Sequence, residues 1–161
     1  MRLRCGLITG LCLIVLVACG CREATYTGTA MNPTIAPGEE VAVNRAAYVV
    51  SRPRRWDVVA FERTNPAPSL WFMRVVGLPG ETVSFASNGI SLNGTPLVYP
   101  THLTNLVHMS LDGLGKRSSI RSPYVVPADA YFVLGDGPQA YDSKFWGALP
   151  FSNVVGRVLE K

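Results

Sequence analysis

Residues 71–81 read WFMRVVGLPGE. The apolar run 71–76 is followed by the corner Leu78-Pro79-Gly80, where proline presets φ and glycine relieves the steric limit of the turn. Short apolar and β-branched runs cut by such residues are the pattern of strands. The same pattern recurs on both sides, at 40–44 (EVAVN), 57–62 (DVVAFE), 82–85, 89–92, 124–126 and 131–134. Ala36-Pro37-Gly38 makes a further corner. Asn93-Gly94, between ISL and TPLVY, reads as a tight hairpin because both residues tolerate the positive φ of a type I′ turn. Long helical periodicity is absent beyond residue 25, so the expectation is a mainly β domain.

The chain has 161 residues, the size of one modest domain. Its formal charge is +4, of which Arg2 and Arg4 belong to the N-terminal segment, leaving +2 on the remainder. The remaining basic residues are scattered, and no basic run is interleaved with stacking aromatics, so nucleic acid is not an expected partner.

The opening MRLR and the apolar run CGLITGLCLIVLVA have the short basic region and apolar core of a secretory signal. Leu16, Val17, Ala18 and Cys19 match the bacterial lipobox, in which a small residue precedes the cysteine that becomes the lipidated N-terminus. Several acyl chains on Cys19 would hold a domain stably at a membrane, where a single chain binds only marginally. The competing reading is an uncleaved helical anchor over 5–21, which is short against the roughly 20 apolar residues that a span needs. The expected organisation is a signal peptide with lipobox, or an N-terminal anchor, at 1–21 and one β domain at 22–161. The expected location is the exported face of the bacterial cytoplasmic membrane.

All four cysteines, Cys5, Cys12, Cys19 and Cys21, fall in this segment. None is placed to staple a core, and no Cys/His spacing suits zinc. No structural metal and no cofactor is expected. His102 and His108 sit in a polar, Gly-bearing excursion, YPTHLTNLVHMSLDGLGKRSS, and read as surface residues.

Three blocks stand in order along the chain: GTAMNPT at 28–34, WFMRVVGLPGE at 71–81 and FVLGDGPQAYDSKFWG at 132–147. Together they closely resemble the bacterial type I signal peptidases, serine peptidases of the S26 family with a Ser-Lys dyad. The resemblance spans about residues 25–161 and implies coiled antiparallel sheets around a small barrel-like core. In that family a nucleophilic serine precedes Met-x-Pro-Thr, and a general-base lysine precedes Arg-Val-Val-Gly-Leu-Pro-Gly. Here those positions are Ala30 and Met73. A Ser-Lys hydrolase needs an oxygen nucleophile and a neutral amine to take its proton. Ala30 has no heteroatom, and the Met73 thioether is a weak acceptor and no base. The family's third block reads Gly-Asp-Asn, then Ser-x-Asp-Ser-Arg and an aromatic before Gly. Ala140 stands where the resemblance puts the serine that orients the lysine, Gly137-Pro138 departs from the motif, and the loop is one residue shorter.

The retained residues fit a scaffold. By the resemblance, Arg74 with Asp136 and Asp142 with Lys144 form ion pairs near the site, although Lys144 replaces an arginine and loses bidentate geometry. Pro33 and Thr34 fix the turn after position 30, and Trp146 reads as core packing. The family binds an extended peptide with small side chains, typically Ala-x-Ala, which places a peptide groove beside Gly28, Ala30, Met31 and Met73. Gly28 and the N–H of residue 30 would remain as oxyanion-type donors. The expectation is a membrane-attached member without peptidase activity, binding signal-region peptides or regulating secretion, or else a fold kept for stability with the groove closed. The alternative is an active signal peptidase cleaving exported preproteins. That would require a relocated nucleophile and base among Ser84, Ser87, Ser143, Lys116 and Lys144. A catalytic parent inactivated by Ser→Ala and Lys→Met is a third reading, against which Gly137-Pro138 and Ala140 point to natural drift.

Overall fold

In a computed structural model, residues 20–63, 69–86, 89–104, 120–137 and 140–160 are described. The expected leader and the lipidation site at Cys19 lie outside them, as do His108, Ser87, Lys116 and Pro138. Among the described residues no helix is long and apolar enough to cross a membrane.

The chain folds into antiparallel sheets, as its strand grammar requires. Eleven strands are present among the described residues: β1 (Cys21–Thr25), β2 (Glu40–Asn44), β3 (Val58–Arg63), β4 (Ser69–Gly77), β5 (Thr82–Ala86), β6 (Gly89–Leu92), β7 (Thr95–Pro96), β8 (Tyr124–Val125), β9 (Ala130–Leu134), β10 (Leu149–Pro150) and β11 (Val154–Leu159). A four-residue helix, α1 (Ser143–Trp146), the one α-helix among the described residues, precedes β10. The larger sheet has the order β1-β2-β11-β3-β4-β9-β10, and the smaller one β7-β6-β5-β8. The C-terminal strand β11 thus enters between β2 and β3. Asn93 and Gly94 carry φ of 51° and 82° and join β6 to β7, the hairpin that Asn-Gly announces.

Strands β3 and β4 are central and buried on both faces, so neighbouring residues serve different parts of the core. Along β3, Val58 and Ala60 join a cluster with Tyr26, Met31, Ile35 and Phe72. The alternate residues Val59 and Phe61 join Met73, Val75, Tyr131, Val133 and Leu149. A third cluster, around Val76, Val83, Phe85, Phe132 and Leu134, lies between the two sheets. The pairing of β4 with β9 shifts between Val75 and Gly77. An added Cβ at Gly77 would lie 2.8 Å from both Phe132 and Val83 side chains, so this crossing admits glycine only. His102 is exposed in a short 3-10 turn at Thr101–Leu103, as its polar surroundings imply.

Candidate functional site

The loop after β1 turns tightly twice, with the Asn32 N–H donating to the Thr29 carbonyl at 3.1 Å and the Ile35 N–H to the Met31 carbonyl at 2.9 Å. Tyr26 supports it from beneath: its hydroxyl accepts the Met31 N–H at 2.8 Å. Burial pushes this hydroxyl's pKa up, opposed by hydrogen bonds from the Met31 and Ala30 backbone. A Cβ at Gly28 would lie 2.8 Å from the same hydroxyl, so glycine permits the close approach.

The loop after β9 locks onto this turn. The Gly137 N–H donates to the Ala30 carbonyl at 2.8 Å. A Cβ on Gly135 would sit 2.3 Å from the Ala140 Cβ and 2.5 Å from the Ala30 oxygen. Ala30 and Ala140 therefore meet across Gly135. Met73, with no exposed surface, packs in the cluster that Ala30 borders. Ala30 thus stands beside Ala140 on one side and the cluster of Met73 on the other, and the surroundings of Met73 are hydrocarbon and aromatic rings.

Both pairs read from the sequence are formed and buried. Arg74 holds Asp136 through Nη2 at 2.7 Å and Nε at 2.9 Å, with side chains 1% and 0% exposed. Its Nη1 donates to Glu160 at 2.9 Å and to the Trp56 carbonyl at 2.8 Å. Burial pulls the guanidinium pKa down, but the bonds to Asp136 and Glu160 outweigh it and raise it, so Arg74 is charged. The Thr34 hydroxyl donates to Asp136 and ties the first turn to the network. Lys144 Nζ donates to Asp142 at 2.7 Å. Asp142 also caps α1 by accepting the Lys144 N–H at 3.0 Å, and it takes the Gly135 N–H at 3.3 Å. Burial raises the Asp142 carboxyl pKa against the opposing pull of Lys144.

A cavity of about 370 Å³ opens beside this centre, between residues 26–30 and 69–72, with Tyr141 at its rim. Gly28 and Ala30 line it. Met31 and Met73, expected in its wall, do not: both are fully buried, Met31 against Tyr26 and Phe72, and Met73 in the second cluster. A larger cavity of about 680 Å³, lined by Glu23, Glu39, Glu40 and Glu160, includes neither Ala30 nor Met73 and touches the ion network at Thr34 and Glu160.

The sequence reading did not identify Tyr26, Trp71 and Tyr141 as groove residues, nor Glu160 as the third member of the Arg74 network. Trp71 lies inside the most informative stretch, and its signal was available. Glu160 is 86 positions from Arg74 and had no local signal.

Comparison with known proteins gives a consistent result. The family model described as signal peptidase, peptidase S26, matches residues 3–160. A signal peptidase I of Leptolyngbya laminosa is 35% identical over 160 residues, covering 91% of this chain and 73% of that protein. A signal peptidase I V of Bacillus subtilis (strain 168) is 32% identical, covering 80% and 78%. The crystal structure of a signal peptidase I from Enterococcus faecalis V583 is similar with a TM-score of 0.48 and 26% identity, over 68% of this chain and 99% of that one.

Proposed function

Because the chain belongs to the signal peptidase, peptidase S26, family, we propose that it is a member without Ser-Lys peptidase activity that keeps a groove for extended signal-region peptides. The observation that supports this reading is that Ala30, which borders the apolar cluster around Met73 and whose carbonyl approaches Gly135 beside Ala140, brings neither a nucleophile nor a base to the positions that the family resemblance gives them. Removing parts of a catalytic unit is not additive, and losing either the nucleophile or the base removes most of the rate. Of the described candidates for a relocated dyad, Ser84 lies in β5 of the smaller sheet, and Ser143 and Lys144 are engaged elsewhere. Ser143 is fully buried with its hydroxyl accepting the Val133 N–H at 2.9 Å, and Lys144 is buried against Asp142. The groove beside Gly28 and Ala30 remains open, with backbone and small side chains along one wall. Attachment is assigned to the N-terminal segment, through lipid on Cys19 or through an apolar helix, on the exported face of the cytoplasmic membrane.

The test is cleavage of a fluorogenic Ala-x-Ala preprotein peptide by the full chain in detergent micelles, beside an active relative. No turnover above a heat-inactivated control is expected, and turnover would overturn the reading. Titration of the same peptide by fluorescence anisotropy should show saturable binding at millimolar concentration or better, weakened by Ala30→Leu. Absence of saturation would leave a fold without an open groove. Incorporation of a labelled fatty acid, lost on Cys19→Ser, distinguishes lipid from helix.

A further inference from the structure

Arg63 ends β3, opposite Ser69 in β4. Its guanidinium carbon lies 4.8 Å from the ring centroid of Trp71, 5.0 Å from Trp146 and 5.8 Å from Tyr141. The edges of both indoles are fixed: Trp71 Nε1 donates to Ser69 Oγ at 2.8 Å, and Trp146 Nε1 to the Tyr141 carbonyl at 3.0 Å. They present ring faces to the cation, which answer its charge but offer its N–H groups no lone-pair acceptor. Nη1 is shielded from solvent and has no hydrogen-bond partner, the sole such buried side-chain nitrogen or oxygen among the described residues. Arg55, Arg74 and Arg157 each have a carboxylate within ion-pair distance; no such pair forms at Arg63 among the described residues.

Trp71 and Tyr141 are also walls of the groove, so the box and the groove share two rings. Tyr141 is 51% exposed and is the ring that a ligand can displace to reach the guanidinium. Trp71 precedes Met73 by two residues on the same face of β4, about 7 Å along the strand. An extended peptide lying over Ala30 would therefore bring a side chain to Arg63 two or three residues further on. We propose that Arg63 reads a carboxylate there, so that the groove selects extended peptides carrying Asp or Glu two or three residues from the Ala-x-Ala segment. The proposal rests on the peptide-groove reading above. A carboxylate matches the planar fork of arginine and satisfies donors that the rings cannot. A lipid phosphate is the lesser fit, because headgroup sites gather several cations, whereas Glu62 adjoins Arg63 in sequence and the box is continuous with the groove.

The experiment titrates full chain in detergent micelles with Ala-x-Ala peptides in which one Asp is moved through the flanking positions, each beside its Asn counterpart. At the matching position Asp should bind about tenfold tighter than Asn, the size of one well-formed charged hydrogen-bond pair. Arg63→Met, which keeps an apolar stem against the rings, should abolish the Asp–Asn difference, and Arg63→Lys should retain part of it. The comparison on the unaltered protein stands even if a variant folds poorly. Saturable Asn binding with no Asp preference at any position would overturn the Arg63 proposal and leave the groove intact. Failure of both peptides to bind would overturn the groove and this proposal with it. Binding to phosphatidylglycerol but not phosphatidylcholine vesicles, lost in Arg63→Met without any peptide discrimination, would reassign the box to a lipid headgroup and overturn it as well.

Discussion

Deleting the Asp136 carboxylate probes what holds the two site loops together. Asp136 takes Arg74 through Nη2 at 2.7 Å and Nε at 2.9 Å, and it also takes the Thr34 hydroxyl. Both charged side chains are out of water, 1% and 0% exposed. Asp136→Ala strands a buried guanidinium, a loss of about 3 to 5 kcal/mol for a pair of this kind. Glu160 stays within 2.9 Å but is 35% exposed, so it compensates in part and the expected cost falls near the lower end, about 3 kcal/mol. For a domain of this size that corresponds to roughly 6 to 12 °C in Tm. Urea titration followed by tryptophan fluorescence measures it, with the full chain in a mild detergent. Arg74→Met combined with Asp136→Ala should recover at least half of the loss, because it removes the stranded charge. Glu160→Gln should cost about 1 kcal/mol or less, since water already screens that carboxylate. The reasoning fails if Asp136→Ala costs under about 1 kcal/mol, or if the double variant is as unstable as the single one.

Other perturbations test other contacts. Met73→Lys buries an amine with no exposed surface around it, so burial lowers its folded pKa below the unfolded 10.4 or so. The native state then binds fewer protons, and the stability deficit against wild type should be larger at pH 7 than at pH 10; equal deficits by denaturant titration would refute a dry site. Gly135→Ala should destabilise more than Gly137→Ala, because its Cβ meets Ala140 at 2.3 Å and the Ala30 oxygen at 2.5 Å, against 2.9 Å to Asn32 for Gly137. Overpacking of this sort costs about 1 to 3 kcal/mol, read as a shift in urea midpoint. Glu81 bonds Arg55 at 2.6 Å and accepts the Leu78 N–H at 2.7 Å, and these bonds outweigh burial and lower its pKa. Its contribution is present above the ordinary carboxylate range and lost as pH falls through the depressed folded value. Glu81→Gln should therefore cost about 1.5 kcal/mol at neutral pH, and the two stability curves should converge once the medium is acid enough to protonate Glu81 in the folded protein.

The strands that the sequence announced are those with an apolar run and a turn at each end. Residues 40–44 and 89–92 match the observed strands, and 57–62 is displaced by one residue to Val58–Arg63. β1 was invisible because CREAT is polar and short, and an edge strand with one partner needs little apolar surface. β11 was hidden by Gly156 inside VVGRVL, where the pairing with β3 shifts register. Glycine marks an irregularity there: its Cβ would lie 2.5 Å from the Asn44 oxygen. Of the site, Ala30, Met73, Arg74 and Asp136 were legible because they sit in motifs. Membership of the groove wall was not, since whether Met31 faces solvent or Phe72 is decided by the turn that Tyr26 supports. Arg63 was equally opaque, its three rings coming from β4, from the loop before α1 and from α1 itself.

Under the proposed function, the geometry of β4 lets chemistry and scaffold part company. Residues 73 and 74 are neighbours in sequence but point to opposite faces of a strand. Met73 belongs to an apolar cluster, whereas Arg74 belongs to a network with Asp136, Glu160 and Thr34. A base at 73 would act on an oxygen at 30 without contributing to that network, and a buried amine would itself be destabilising. Replacing it by methionine therefore leaves the ion network untouched and makes the second cluster more uniformly apolar. Position 30 likewise contributes through its carbonyl, which accepts the Gly137 N–H, so the side chain there is free to shrink without loosening the loop. The ion network and the side chains at 30 and 73 are held by different contacts, so under the proposed function the network persists whatever side chains those two positions carry.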